Sequence, residues 1–136
     1  NRLSAYAELI SGDKKLKQIR WLPKENYHLT LSFLGNVEYE LISNLQLSLE
    51  ENLSSSKAFR FRFLEITPFP FSGTPKIVSA MLEYSEELND LQNNIAKCVR
   101  TFVISTECRQ FTPHVTLGRL KSCSRNSIAF QPRQIF

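Results

Sequence analysis

A chain of 136 residues, 42% hydrophobic and 22% charged, has the size and composition of one globular domain, 1–136, with its own core, and is too short for two independent ones. Seventeen Lys and Arg against thirteen Asp and Glu leave a net charge of +4, which suits an anionic ligand without requiring one. The three cysteines, Cys98, Cys108 and Cys123, are odd in number and lack CxxC spacing, which argues against a disulfide framework or zinc site; with no visible signal peptide and no run near the roughly 18 apolar residues of a membrane span, a cytoplasmic protein is expected.

Leu3, Tyr6, Ala7 and Ile10 form the i, i+3, i+4, i+7 stripe of a short amphipathic helix ending at Gly12. Lys14, Lys15, Lys17 and Arg20 read as a solvated charge run leading into Trp21-Leu22-Pro23. From Tyr27 to Leu34 the β-formers predict a strand, closed by Gly35-Asn36, and a helix follows over Val37 to Leu53 on Leu41, Leu45, Leu49 and Leu53. Ala58 to Ile66 alternates, with Phe59, Phe61 and Phe63 on one face, and predicts a strand over a core. Pro68, Pro70, Gly73 and Pro75 predict a loop, Ile77 to Leu82 a strand. Ser85 is the expected N-cap of a second long helix with the stripe Leu88, Leu91, Ile95, Val99 and Phe102. A strand over His114 to Leu120 follows, and Ile128 to Phe136 begins another that Pro132 interrupts. The order strand, helix, strand, twice, divides the chain into two similar halves and predicts an α+β fold.

Each half carries one copy of a pattern: His28-Leu29-Thr30-Leu31 and His114-Val115-Thr116-Leu117. These are the only two histidines. With seven threonines in the chain, Thr stands two places after a given His by chance roughly once in twenty, so the double coincidence is well below about one per cent. In a strand, residues two apart share a face, so His28 projects with Thr30 and His114 with Thr116. Two imidazoles and two hydroxyls without a carboxylate suit a phosphate: the hydroxyls donate to its oxygens, and the histidines, with an ordinary pKa near 6.5, act as proton donor and acceptor. A single copy would be read as ordinary strand residues. Two copies that use every histidine reverse that reading. Zinc would need further ligands from unclustered Cys or acids, and no Ser sits in a nucleophile elbow, so no metal and no cofactor are expected.

The segments Trp21-Leu22-Pro23-Lys24-Glu25-Asn26-Tyr27-His28-Leu29-Thr30-Leu31-Ser32-Phe33-Leu34-Gly35-Asn36-Val37 and Phe111-Thr112-Pro113-His114-Val115-Thr116-Leu117-Gly118-Arg119 resemble the 2H phosphoesterases, and among them the RNA 2′,3′-cyclic phosphodiesterases once called 2′-5′ RNA ligases (LigT-like). The likeness runs through nearly the whole chain, Phe69-Pro70 included. It implies a bilobed α+β domain, two antiparallel sheets facing a central cleft with helices outside and a pseudo-twofold axis. It further implies His28 as proton donor, His114 as acceptor, Thr30 and Thr116 on the phosphate, Arg119 as an added cation there, and Phe33 as a weaker contact to a base. Terminal strands usual in the family are incomplete here, which suggests a shortened chain. Arg119 lies three places after Thr116 and would face away from it unless the strand ends or bulges at Gly118. The expected activity is metal-independent opening of a 2′,3′-cyclic phosphate at an RNA or nucleotide end by a monomer without membrane attachment. Reversible 2′-5′ ligation is its companion. Another 2H activity, on 2′-5′ oligonucleotides or small cyclic nucleotides, and a non-catalytic RNA-end binding module are the alternatives.

Overall fold

The computed structural model describes residues 2–12, 16–102, 110–121, 130 and 132–135. Cys108, Cys123 and the start of the expected terminal strand lie outside them. The described chain is α+β, with three helices, α1 (Arg2–Ser11), α2 (Tyr39–Leu53) and α3 (Glu86–Phe102), and five strands, β1 (Ile19–Trp21), β2 (Phe63–Phe69), β3 (Ile77–Leu82), β4 (His114–Leu120) and β5 (Arg133–Gln134). All five strands join one antiparallel sheet in the order β1-β4-β3-β2-β5.

The chain divides into two compact units that differ from its sequence halves. The first comprises Asn1–Leu29, Arg62–Leu82 and Pro113–Phe136, the second Thr30–Phe61 and Glu83–Thr112. The first unit holds the sheet and α1, whose stripe residues Leu3, Ala7 and Ile10 are buried as their spacing predicts, together with Ile66, Val78, Ala80, Val115 and Leu117. The second is built on α2 and α3. Leu45 and Val99 are its buried centre, and Leu34, Val37, Leu49, Ile95 and Phe102 pack against them. Ser85 caps α3 as expected: its Oγ accepts from Leu88 N–H at 3.3 Å and donates to Glu87 at 2.7 Å. The hydrogen bond from Ser85, followed by one from the backbone, holds the Glu87 carboxyl below its ordinary value.

Three expectations need correction. The strand over Tyr27 to Leu34 reduces to a single bridge, Leu29 to Val115. Pro23 and the 3-10 turn Lys24–Asn26 carry the chain out of line after Leu22, and it returns to β4 for one residue before Gly35, at φ 62°, turns it again. The strand predicted over Ala58 to Ile66 begins at Phe63 and runs on through Pro68 to Phe69, because β3 offers partners from Phe63 to Phe69 alone. Alternation gives an extended chain; a strand also needs a neighbour. A register shift at Leu64 breaks the Phe59-Phe61-Phe63 face, leaving Leu64 exposed and Ile66 buried. Pro68 is tolerated because β5 pairs with Glu65 and Ile66 only. Arg20, the last residue of the charge run, lies in β1 rather than in a solvated loop; the described residues form one sheet, with no strand in the second unit. Among the described residues no helix is long and apolar enough to cross a membrane.

Candidate functional site

β4 is the strand around which the site is built. It pairs with β3 through Met81↔His114, Ala80↔Val115 and Ser79↔Thr116, and β3 pairs with β2 through Glu65↔Met81, Ile66↔Ala80 and Thr67↔Ser79. Facing residues of an antiparallel pair share a face. Ile66, Ala80 and Val115 therefore form one buried apolar row, and Leu29 extends it across its bridge to Val115. The rows on either side, Glu65–Met81–His114 and Thr67–Ser79–Thr116, project from the opposite face.

The bridge places the first motif against the second. With Leu29 opposite Val115, the preceding His28 projects on the same face as His114 and Thr116, the residues that flank Val115. His28 is exposed and His114 half-buried. The His28 Nδ1 lies 2.8 Å from the carbonyl oxygen of Asn26. A carbonyl can only accept, so Nδ1 carries the proton and Nε2 is the ring atom left for a substrate. Asn26 closes the 3-10 turn, so the same turn that interrupts the strand fixes the tautomer of His28. The neighbouring Tyr27 phenol is raised above its ordinary value, by burial first and then by the carboxylates of Glu8 and Glu25. His114 is held differently: the Phe69 ring packs on its imidazole with centroids 4.6 Å apart at 37°, and Phe71 meets Phe69 edge-on at 5.4 Å.

Arg119 reaches the same face through an irregularity. Ser79 pairs with Thr116 but Val78 pairs with Gly118, so Leu117 is an extra residue on β4. This bulge shifts the alternation by one place, and Arg119, opposite Ile77, shares the face of His114 and Thr116. Gly118 next to it permits the approach of β1: a Cβ there would lie 2.6 Å from Ile19 Cγ2 and 3.2 Å from the Arg20 carbonyl oxygen.

His28, His114, Thr116 and Arg119 are thus gathered on one sheet face of the first unit. Thr30 and Phe33 belong to the second unit, where both are exposed. Sequence reasoning missed the Asn26 carbonyl, which as backbone leaves no residue signature, and the packing of Phe69, whose only signal was the Phe-Pro pair. It also set Arg20 aside, although Arg20 is the partner of Arg119. Among the described residues no three His, Cys, Asp or Glu side chains gather so as to hold a metal ion.

The family model described as LigT like Phosphoesterase matches residues 1–78 and 80–130. The chain is 29% identical over 133 residues to the RNA 2′,3′-cyclic phosphodiesterase of Aquifex aeolicus, covering 93% of this chain and 69% of that one. It is 29% identical over 112 residues to the protein of the same name from Archaeoglobus fulgidus, covering 82% and 60%. Among solved structures, TT0787 of Thermus thermophilus superposes with a TM-score of 0.78 at 26% identity, covering 97% of this chain and 73% of that one. The MHV ns2 PDE domain shares the fold at a TM-score of 0.58 and 10% identity, covering 98% and 77%. The chain spans 60% of the Archaeoglobus relative and 54% of a further one from Thermotoga maritima.

Proposed function

Since the chain belongs to the LigT-like phosphoesterase family, we propose that it is an RNA 2′,3′-cyclic phosphodiesterase, hydrolysing a cyclic phosphate end to a 2′-phosphomonoester. The observation that carries the reading is the Leu29–Val115 bridge, which sets His28 beside the face bearing His114 and Thr116. In the reaction, water adds to phosphorus and the bond from phosphorus to O3′ breaks. His114 takes the water proton, and His28 gives a proton from Nε2 to O3′, leaving a 3′-hydroxyl. The Asn26 carbonyl, accepting from Nδ1, orients the His28 ring and leaves Nε2 facing the substrate. Thr116 and Arg119 hold the phosphate oxygens where negative charge builds up, Thr30 joins them by its place in the first motif, and Phe33 is a weaker base contact. The reverse reaction, 2′-5′ ligation, uses the same groups.

The proposal includes a single functional domain that acts as a cytoplasmic monomer and needs no metal, since proton transfer and fixed donors supply what ring opening requires. Incubation with a nucleoside 2′,3′-cyclic phosphate in EDTA tests it. The expected result is undiminished turnover to the 2′-phosphate. Loss in EDTA with recovery on adding zinc or manganese overturns metal independence, a 3′-phosphate product overturns the assignment of the leaving oxygen, and binding without turnover leaves an RNA-end binding module.

A further inference from the structure

We propose that Arg20 is a second phosphate contact, selecting an RNA 3′ end, with its phosphodiester one nucleotide before the cyclic phosphate, over a lone nucleoside cyclic phosphate. This rests on the activity proposed above and names the substrate class within it. Arg20 and Arg119 are partners on adjacent strands, so their side chains leave the same face from backbones about 4.8 Å apart. Like charges directly opposite one another are unfavourable, and among the described residues neither arginine has an ion-pair partner; both are exposed. The basic row continues. Lys121 N–H donates to the Gln18 carbonyl at 3.0 Å, which carries the β1–β4 pairing one step past Leu120 and places Lys121, two residues beyond Arg119, on that face.

The acid on this face of the paired strands is Glu65, opposite Met81 on the row of His114 and three strands from β1. Arg20 and Arg119, with Lys121 beyond them, therefore present donors and positive charge next to Thr116, on the side away from His114. A nucleoside 2′,3′-cyclic phosphate has one phosphate, which Thr116 and Arg119 serve. An oligoribonucleotide brings a second, and a second guanidinium beside the first is matched to two successive phosphates in a way that one arginine is not. Two guanidinium arms rising from neighbouring strands can part to reach both.

The test compares a nucleoside 2′,3′-cyclic phosphate with a short oligoribonucleotide ending in the same nucleoside and cyclic phosphate. The wild-type chain is expected to favour the oligomer in kcat/KM, and Arg20→Ala to lose about tenfold more on the oligomer than on the nucleoside, chiefly through KM. The plot of log kcat/KM against log salt for the oligomer should become shallower by about 0.7, the slope of one single-strand phosphate contact. Arg20→Lys should restore part of the preference. An unchanged melting temperature separates these effects from misfolding, as expected for an exposed side chain. Equal losses on both substrates, a preference that survives Arg20→Ala, or no wild-type preference each overturn the assignment while leaving the cyclic phosphodiesterase reading standing. Failure of the wild type to turn over either substrate sinks both together.

Discussion

The two copies of the His-x-Thr pattern are nearly identical as text and different as structure. His114 to Leu117 lies inside β4, with β3 along one side, Leu29 opposite Val115 and Leu22 N–H on the Leu117 carbonyl along the other, and Val115 and Leu117 buried. His28 to Leu31 touches the sheet at Leu29 alone, begins at the exit of a 3-10 turn, and passes at Thr30 into the second unit, where the Gln92 amide donates to the Leu31 carbonyl at 3.4 Å. One imidazole is oriented by a backbone carbonyl two residues away, the other by a phenyl ring from β2. The pattern therefore does not specify a local fold. A sequence repeat need not make the two groups equal, and hydrolysis of a cyclic phosphate calls for unequal ones.

The largest expected effect puts that inequality to the test. Replacing either histidine by Ala should lower turnover by roughly a hundredfold to ten-thousandfold, the usual worth of one general acid or base. A substrate whose leaving group departs without protonation separates the roles. On it His28→Ala should recover much of its lost rate and His114→Ala should stay slow. Recovery by the His114 variant would reverse the assignment, and near-wild-type turnover by both would remove the catalytic reading.

Each motif is followed by a glycine, and the two are needed for different reasons. Gly118 is closed to a side chain by Ile19 and the Arg20 carbonyl, whereas Gly35 has open space around it but sits at φ 62°. Gly118→Asn should cost about 1–3 kcal/mol by overpacking the β1–β4 contact. Gly35→Asn should cost less, because Asn adopts the left-handed conformation more readily than other side chains. Chemical denaturation of the two variants checks the ranking. Equal losses would mean that Ile19 gives way to a side chain at Gly118, so that the approach of β1 is not what demands glycine there.

Much of this was legible in the sequence, for reasons that show where legibility ends. The stripes of α1, α2 and α3 and the Ser85 cap follow from helical periodicity, and β3 and β4 were bounded to the residue because apolar runs flanked by loop signals sit there. The face of Arg119 was not readable, since a bulge depends on how two strands register; the sequence could name Gly118 as suspicious, and the extra residue proved to be Leu117. Nor could alternation over Ala58 to Ile66 reveal that β3 would not extend to meet it. The pairing of His28 with the second motif was suggested by the matching faces, but the single bridge that carries it depends on the turn at Lys24–Asn26.

A smaller effect is expected at Arg119. Because the bulge brings it to the face of His114 and Thr116, Arg119→Ala should raise KM for a nucleoside cyclic phosphate by about tenfold and change kcat less, the pattern of a lost charge-assisted contact made in ground and transition states alike. An unchanged KM would place the guanidinium in solvent and undo the argument from register.

The smallest expected difference concerns the residue before each histidine, Tyr27 in the first motif and Pro113 in the second. Burial, then Glu8 and Glu25, hold the Tyr27 phenol above its ordinary value of 10.0. In the unfolded chain it ionises at that ordinary value. Between the two values the unfolded state has therefore released a proton that the folded state keeps, and release favours unfolding. The stabilisation is fully present below the ordinary value and is lost as pH rises through the folded one. Tyr27→Phe removes the ionisation without removing the ring, so melting temperatures followed from about pH 9 to 11 should fall less steeply in the variant. Pro113 has nothing to ionise, so this alkaline sensitivity belongs to the first motif. If the two slopes coincide, the phenol is no more buried in the folded chain than in the unfolded one, and the turn that sets His28 packs more loosely than its geometry implies.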